Sequence, residues 1–327
     1  MKLNIFNLEL LKKLATQDKL ILIAKIVITI CLITYIAINV SFKETLSIIS
    51  NANLTYLLIV VALTFLNLFI QFQKWKFISK VCLSYENDTT VATSLFQGFA
   101  AGIFTPGRIG EYVGRSLAFK EKTLLEVITA TVIDKMFNLL IITFFGSLSA
   151  ILFISYFAHV SSFVTVSLFI LLFCIYYILF LLLSSPKIWE GFILNSLRKV
   201  KYLKDFIDKL ILLKRLDRTN LTKIFLLSFV FYLTFVTQFA LLMAAYSNSV
   251  VNLLDFTWIG SIVFFTNSVI PSVTLGELGI RESAALYFSQ RFGYLGSIGF
   301  NAALSIFFFN ILVPAIIGLF LLTKKNK

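Results

Sequence analysis

Long apolar runs separated by short polar or basic stretches organise this chain. They cover residues 20–40, 53–72, 137–157, 162–183, 221–245 and 296–322, and consist mostly of Leu, Ile, Val, Phe and Ala. Each reaches the roughly 20 residues that an α-helix needs to cross a hydrocarbon core about 30 Å thick, so six membrane-spanning helices are expected. Two further apolar stretches stop short. Residues 89–104, roughly 24 Å of helix at the α-helical rise, end at Thr105-Pro106-Gly107; residues 251–270 contain Asp255 and end at Pro271. Non-helical backbone at membrane depth is tolerated only where protein or a watery cavity covers it, so both stretches are expected to be re-entrant or broken helices. Short or tilted ordinary spans are the alternative.

The two interruptions resemble each other. The first reads Pro106-Gly107-Arg108-Ile109-Gly110-Glu111-Tyr112-Val113-Gly114-Arg115 and the second Leu275-Gly276-Glu277-Leu278-Gly279-Ile280-Arg281-Glu282. Both contain Gly-Glu-x-x-x-Arg, with the glutamates 166 residues apart (277 minus 111). The run that begins at residue 53 has its counterpart at 221, an offset of 168 (221 minus 53). Two repeats are therefore expected, about 20–157 and 162–322, each with three crossings and one broken element. An odd number of crossings turns the second repeat over, giving the inverted topology in which broken helices meet near the midplane around a substrate site.

Composition agrees with a bilayer as solvent. Of the 327 residues 59% are hydrophobic and only 14% charged, with a mean hydropathy of +0.92, whereas soluble domains carry about 25% charged residues. The formal net charge of +13 is unevenly placed. Lys2, Lys12, Lys13 and Lys19, then Lys74, Lys76 and Lys80, the stretch from Lys187 to Lys223, and Lys324, Lys325 and Lys327 mark cytoplasmic segments, while the connections around His159 and from Tyr246 to Val250 hold no Lys or Arg. Both termini are thus expected in the cytoplasm, in a chain integral to the cell membrane. The first run is longer than a signal-peptide core and is followed by no small-x-small cleavage site, so it reads as a retained span. Cys31, Cys82 and Cys174 are too scattered for a disulfide framework or a metal cluster. Residues 187–215 alternate apolar and basic positions at helical spacing; they read as an amphipathic helix on the inner leaflet or as an ordinary basic loop.

Charges at membrane depth are costly and, where kept, pair with one another or line a pathway. The candidates are Arg108, Glu111, Arg115, Asp134, Lys135, Glu277, Arg281 and Glu282, with Pro106, Gly107, Gly110, Pro271, Gly276 and Gly279 as backbone or hinge positions. A Glu and an Arg four apart share a helix face, so a purely structural ion pair is one reading. In the other, the arginine forks of Arg108, Arg115 and Arg281 converge on a lipid phosphate. Asp134-Lys135 reads as a relay element or as a pair neutralised mutually or against Glu277 or Arg281. Gly98 and Gly102 form a small-xxx-small packing seam. No nucleotide-binding loop, zinc-binding helix or nucleophile elbow is present in the sequence, and no cofactor, metal or nucleic-acid partner is expected.

The segments Gly102-Ile103-Phe104-Thr105-Pro106-Gly107-Arg108-Ile109-Gly110-Glu111 and Pro271 to Glu282 resemble the transmembrane region of lysylphosphatidylglycerol synthases, the flippase-like domain family, and the likeness covers nearly the whole chain. The second motif departs from the usual Pro-Gly-Gly-x-Gly-x-Arg-Glu in its Thr274-Leu275-Gly276-Glu277. The helix after the first motif carries Asp134, Lys135 and Asn138 where an acidic-Arg pair followed by Asp is usual. The resemblance implies movement of a lipid headgroup between leaflets, aminoacylated phosphatidylglycerol in the named members and polyprenyl or other lipids in related ones. The soluble aminoacyl-transferase domain is missing from this sequence, so synthase activity is not expected. The expectation is an all-α polytopic lipid flippase with anionic membrane lipids as partners. The alternatives are a membrane-embedded transferase acting on a polyprenyl-phosphate lipid and a non-catalytic partner of a separate lipid-modifying enzyme.

Overall fold

A computed structural model of the chain describes residues 42–184, 217–247, 251–270 and 278–323. The first apolar run at 20–40, the basic stretch 187–215, and Pro271, Gly276 and Glu277 lie outside the described residues. Within them the protein is all-helical, and five helices are long and apolar enough to cross a membrane.

In chain order the helices are α1 (Phe42–Ser50), α2 (Leu54–Ile78), α3 (Asp88–Ile103), α4 (Gly110–Gly114), α5 (Leu124–Phe157), α6 (Ser162–Ser184), α7 (Arg218–Tyr246), α8 (Leu253–Val269), α9 (Ile280–Arg291), α10 (Gly296–Phe307) and α11 (Val313–Thr323). A wide π turn, Ser79–Leu83, extends α2, and another, Phe308–Leu312, joins α10 to α11. Pro314 has no N–H to donate, which favours a shifted ladder in the turn before it. Helix starts are capped by side chains: Asn53 accepts from Thr55 and Tyr56 N–H, Asn87 from Thr90, Asn252 from Leu254 and Asp255, and Thr123 forms a reciprocal capping box with Glu126. These caps satisfy N–H groups that the helix itself leaves without acceptors.

Both short apolar stretches fold as hairpins that return to the end of the bundle where they start. In the first, α3 runs inward, breaks at Phe104–Ile109, and returns through α4 and a 3₁₀ turn, Arg115–Ala118. Its base is closed by Tyr85 against Phe119, with ring centroids 5.1 Å apart, and it sits by the α2 end, where Lys223 at the start of α7 lies 4.4 Å over Phe77. In the second, α8 runs inward and α9 returns, and Tyr294 donates to Asp255 at 2.8 Å across the base. That base packs beside the far end of α5, where Phe157 meets Phe292 at 4.9 Å and Trp258 donates to the Ser149 carbonyl. Because α5 runs from the first base to the second, the hairpins enter from opposite ends.

The remaining packing follows the same exchange between halves. α2 and α7, whose starts carry the 168-residue offset, run antiparallel: Asn53 N–H donates to the Ala245 carbonyl, Gln238 reaches Thr64, and Lys74 reaches Ser228. α5 packs on α8, where Gly146 faces Phe265, and α11 packs on α3, where Gly318 faces the Phe96 backbone. The glycines are 172 residues apart (318 minus 146) and the phenylalanines 169 (265 minus 96), and a Cβ at either glycine would overlap its neighbour. Each hairpin has its own apolar core, one around Trp75, Leu95 and Phe99 and one around Phe239, Phe256 and Leu242.

Two spans extend past the limits read from hydropathy. α5 begins at Leu124, thirteen residues before 137, and α2 runs beyond residue 72. Asp134, Lys135 and Lys74 broke the apolar runs in the sequence, but inside the bundle their charges are paired and the helices continue. Lys74 is therefore not part of a cytoplasmic loop; it is 1% exposed.

In a background lacking the native cysteines, Lys120→Cys at the first hairpin base and Arg291→Cys at the second should react with a membrane-impermeant maleimide from opposite sides of sealed vesicles. Labelling of both from one side would contradict hairpins of opposite entry.

Candidate functional site

The first break is shaped by its glycines and threonine. Gly107 and Arg108 both take left-handed backbone, φ 58° and 55°. The first suits glycine; the second is uncommon for a residue with a Cβ and is the kind of strain found at binding sites. Thr105 steadies the turn, its hydroxyl accepting from Gly110 N–H at 2.7 Å. Across the hairpin, the Gly98 and Gly102 seam receives side chains instead of a partner helix: a Cβ at Gly98 would stand 2.6 Å from Arg115 Cγ, and one at Gly102 would press on Glu111 and Arg108.

That close approach assembles a chain of buried charges. Lys74 Nζ lies 2.7 Å from Asp134 Oδ1, and Asp134 Oδ2 lies 2.8 Å from Arg115 Nη1. Arg115 Nη2 lies 2.7 Å from Glu111 Oε1, which also meets Lys135 Nζ at 2.7 Å; Arg108 Nη2 reaches Glu111 Oε2 at 3.0 Å. The Arg115 guanidinium lies 4.4 Å over the Trp75 ring, and Ser94 accepts from the Trp75 indole and donates to the Arg115 carbonyl. Lys74 also donates to Asn138 Oδ1 at 2.6 Å and to Ser228.

The expectation that Asp134 and Lys135 neutralise each other, or pair with Arg281, is corrected by this geometry. Successive helix residues point about 100° apart. Asp134 therefore turns to Lys74 and Arg115 behind the helix, while Lys135 turns to Glu111. Arg281 pairs instead with its neighbour Glu282 at 2.8 Å, and Glu282 also accepts the Gly279 N–H at 2.7 Å, where Gly279 takes φ 105°.

Between the halves lies a cavity of about 650 Å³. Its polar wall includes Gly107, Arg108, Glu111, Lys135 and Asn138 from the first half, with Asn267, Arg281 and Asn310 from the second; Phe99, Phe231, Phe235 and Phe264 supply much of the apolar wall. Exposure separates the cations by position. Lys135 and Arg108 keep 30% and 15% of their side chains exposed, whereas Arg281, Lys74 and Arg115 keep 2%, 2% and 1%. Arg115 stands behind the lining, so the three arginines do not meet at one point: Arg108 and Arg281 reach the cavity and Arg115 holds Glu111 and Asp134. Among the described residues the charges in and behind the cavity wall are five cations, Lys74, Arg108, Arg115, Lys135 and Arg281, and three carboxylates, Glu111, Asp134 and Glu282.

The sequence reading missed Lys74, Gln71, Asn267 and Asn310. A signal for the first two was present: Thr64, Asn67, Gln71 and Lys74 recur every three or four residues, one polar stripe on an otherwise apolar helix. Asn310 has no such stripe and is turned inward by the π turn.

Helices long and apolar enough to span a bilayer, with a pair of opposed hairpins and a charged cavity between them, define an integral membrane protein. The chain belongs to the family described as the lysylphosphatidylglycerol synthase TM region, whose model matches residues 22–318. That membership relates it to the membrane proteins of lipid modification and flipping. The same comparisons match it to no curated protein and to no solved structure.

Removing one partner of a buried ion pair leaves an uncompensated charge, at a cost of about 3–5 kcal/mol. Lys74→Met should therefore lower the detergent melting temperature more than Lys135→Met, because it leaves Asp134 only Arg115, which Glu111 shares, whereas Glu111 keeps both Arg108 and Arg115. Adding Asp134→Asn to Lys74→Met should restore part of the loss. A double variant less stable than Lys74→Met alone would mean that Lys74 does not serve Asp134.

Proposed function

We propose that the protein carries a phosphate-bearing lipid, a phospholipid or a polyprenyl-type lipid, between the leaflets of the cell membrane. The observation that supports this most is the cavity itself, which combines cations from both halves with an aromatic wall; among the described residues the cations in and behind that wall outnumber the carboxylates. Uncompensated charge at membrane depth is strongly disfavoured, and an anion completes the balance. A phosphate does so with geometry to match: Arg108 offers a planar fork and Lys135 a mobile point charge, each with surface open to the cavity. The apolar wall suits the part of the lipid where headgroup meets acyl or prenyl chain.

The residues proposed to meet the lipid are Arg108, Lys135 and Arg281, with Glu111 and Glu282 orienting them, Arg115 and Asp134 holding Glu111 and α5 in place, and Glu277 contributing from the second motif. Pro106, Gly107, Gly110, Pro271, Gly276 and Gly279 would act as hinges. The halves, about 20–157 and 162–322, act as inverted repeats, and opposed hairpins supply an entry from either side. With the basic segments in the cytoplasm, both termini face that side, and a separate lipid-modifying enzyme would supply or use the transported lipid.

A guanidinium fork bound to phosphate depends on geometry as well as charge, so an ammonium replaces it poorly. Arg108→Lys and Arg281→Lys should each slow translocation of a fluorescent anionic phospholipid in reconstituted vesicles by about tenfold or more, with melting temperatures close to the parent protein. Near-normal transport in both variants would remove the arginines from the lipid path. Parallel loss of transport and of the folded state would make them structural.

A further inference from the structure

The last span is built in two pieces that belong to different hairpins. α10 lies on α9 of the second hairpin, so closely that a Cβ at Gly299 would overlap Ser289 Oγ and the Ala285 carbonyl. α11 lies on α3 of the first hairpin, where Gly318 meets the Phe96 backbone. The cavity cations divide in the same way. The Arg281 guanidinium rests 5.9 Å from the centre of the Phe307 ring, the last residue of α10, whereas Arg108 lies against Gly102 in the first hairpin. Tyr246, at the end of α7, meets Ser305 of α10 at 2.7 Å, so that end of α7 goes with the second hairpin.

Between the two pieces stands the π turn Phe308–Leu312, whose backbone bonding is weakened at an identifiable place. Val313 N–H reaches back five residues to the Phe308 carbonyl, and Pro314 has no N–H to offer the Asn310 carbonyl, with which a regular α-helix would pair it. Sharp bends in helices concentrate at such turns and at prolines. α5, the counterpart of this span in the first half, lacks the joint. The 172-residue offset that relates Gly146 to Gly318 also relates Asn138 to Asn310 (310 minus 138), yet α5 passes Asn138 as unbroken α-helix from Leu124 to Phe157. Equivalent places in the fold are thus filled by one continuous span and one jointed span.

One side chain fastens the joint. Asn310, 3% exposed, donates from Nδ2 to Gln238 Oε1 at 2.8 Å. Gln238 Nε2 in turn donates to Thr64 Oγ1 at 2.7 Å and to the Val60 carbonyl at 3.2 Å. The turn is thereby tied to α7 and to α2, one helix from each half. Asn310 Oδ1 has no hydrogen-bond partner, so this side chain holds the turn by one bond. A neutral hydrogen bond of this kind shifts an equilibrium by about threefold to tenfold, enough to favour one form of the turn and too little to forbid another.

We propose that the π turn is a hinge and the Asn310–Gln238 bond its catch: the last span bends at Phe308–Leu312, swinging α10 and the second hairpin, with Arg281, against α11 and the first hairpin, with Arg108. The purpose of the motion rests on the lipid-carrier reading, in which the swing opens the cavity toward one leaflet and then the other, as when one repeat of a transporter rocks against its partner around a fixed site.

Nitroxide pairs on the full chain in lipid nanodiscs, in a background lacking the native cysteines, read the joint by pulsed electron paramagnetic resonance. Lys120→Cys with Arg291→Cys spans the turn, and Lys120→Cys with Thr323→Cys stays on the α11 side of it as a control. α10 has 12 residues, and a bend of about 20° acting over its length of roughly 18 Å displaces the far end by about 6 Å. The spanning pair should therefore show a second distance whose share rises about threefold to tenfold in Gln238→Leu and in Asn310→Leu, while the control pair keeps one distance. Pro314→Ala returns an N–H to the Asn310 carbonyl and should reduce the second distance in the Gln238→Leu background. One unchanged distance for the spanning pair in every variant overturns the hinge. So does a second distance in the control pair that rises with the first, since the bond would then hold the fold and not a joint. Translocation of a fluorescent anionic phospholipid by the same proteins keeps the two readings apart. Unmoved distances beside normal translocation overturn the hinge and leave the carrier, whereas moving distances without translocation in the parent protein leave the hinge and remove the carrier.

Discussion

The structure depends on how it neutralises charge that it has placed beyond the reach of water. Glu111, Arg115, Asp134 and Lys74 form a continuous series of contacts of 2.7–2.8 Å that crosses from α4 through α5 to α2. None of these side chains could remain ionised alone at that depth without a cost comparable to the whole stability of a domain. The series therefore acts as a condition on the fold: α2, α5 and the first hairpin must be in register for any of the four to be tolerated. Two glycines on α3 make this possible by letting Arg115 and Glu111 lie against its backbone.

The same series separates charge held behind the cavity wall from charge that lines it. Arg115 and Asp134 use their charge on each other and on Lys74, and stand behind the cavity wall. Glu111 sits at the junction, with one face on Arg115 and the other on Arg108 and Lys135. The two cations that keep exposed surface are those attached at this last link. Positive character is thus delivered to the cavity by groups whose positions are fixed from behind, an arrangement that holds the cavity in shape without closing it.

The opposed hairpins give the cavity its asymmetry. The first half carries an ionic network with an excess of donors; the second, in the described residues, carries one internal ion pair, Arg281 with Glu282, and amide oxygens. The two halves differ in chemistry at the faces they present to each other. A substrate bound between them would meet different groups at its two ends and so be oriented.

Helix type and, among the described residues, the five long spans were legible from the sequence because apolar length is a local property set by bilayer thickness. α6, α7 and the α10–α11 span follow their apolar runs closely, and the two broken elements were marked by Pro and Gly where their apolar runs stop. The repeated Gly-Glu-x-x-x-Arg pointed to Glu111, Arg115 and Arg281, and the Pro-Gly-Arg just before it to Arg108, as groups at depth. Other features were not local. Lys74 resembled a loop lysine, and Asp134-Lys135 resembled a mutual pair, since a single chain position does not state which distant helix supplies its counter-charge. Asn310 and Gln238 looked like incidental polar residues in apolar runs until packing joined them. Apolar periodicity by itself determined that this chain enters a membrane and where its helices break. Only the tertiary structure decided which charge compensates which, because electrostatic energy at low dielectric depends on separations of a few ångströms that sequence spacing does not contain.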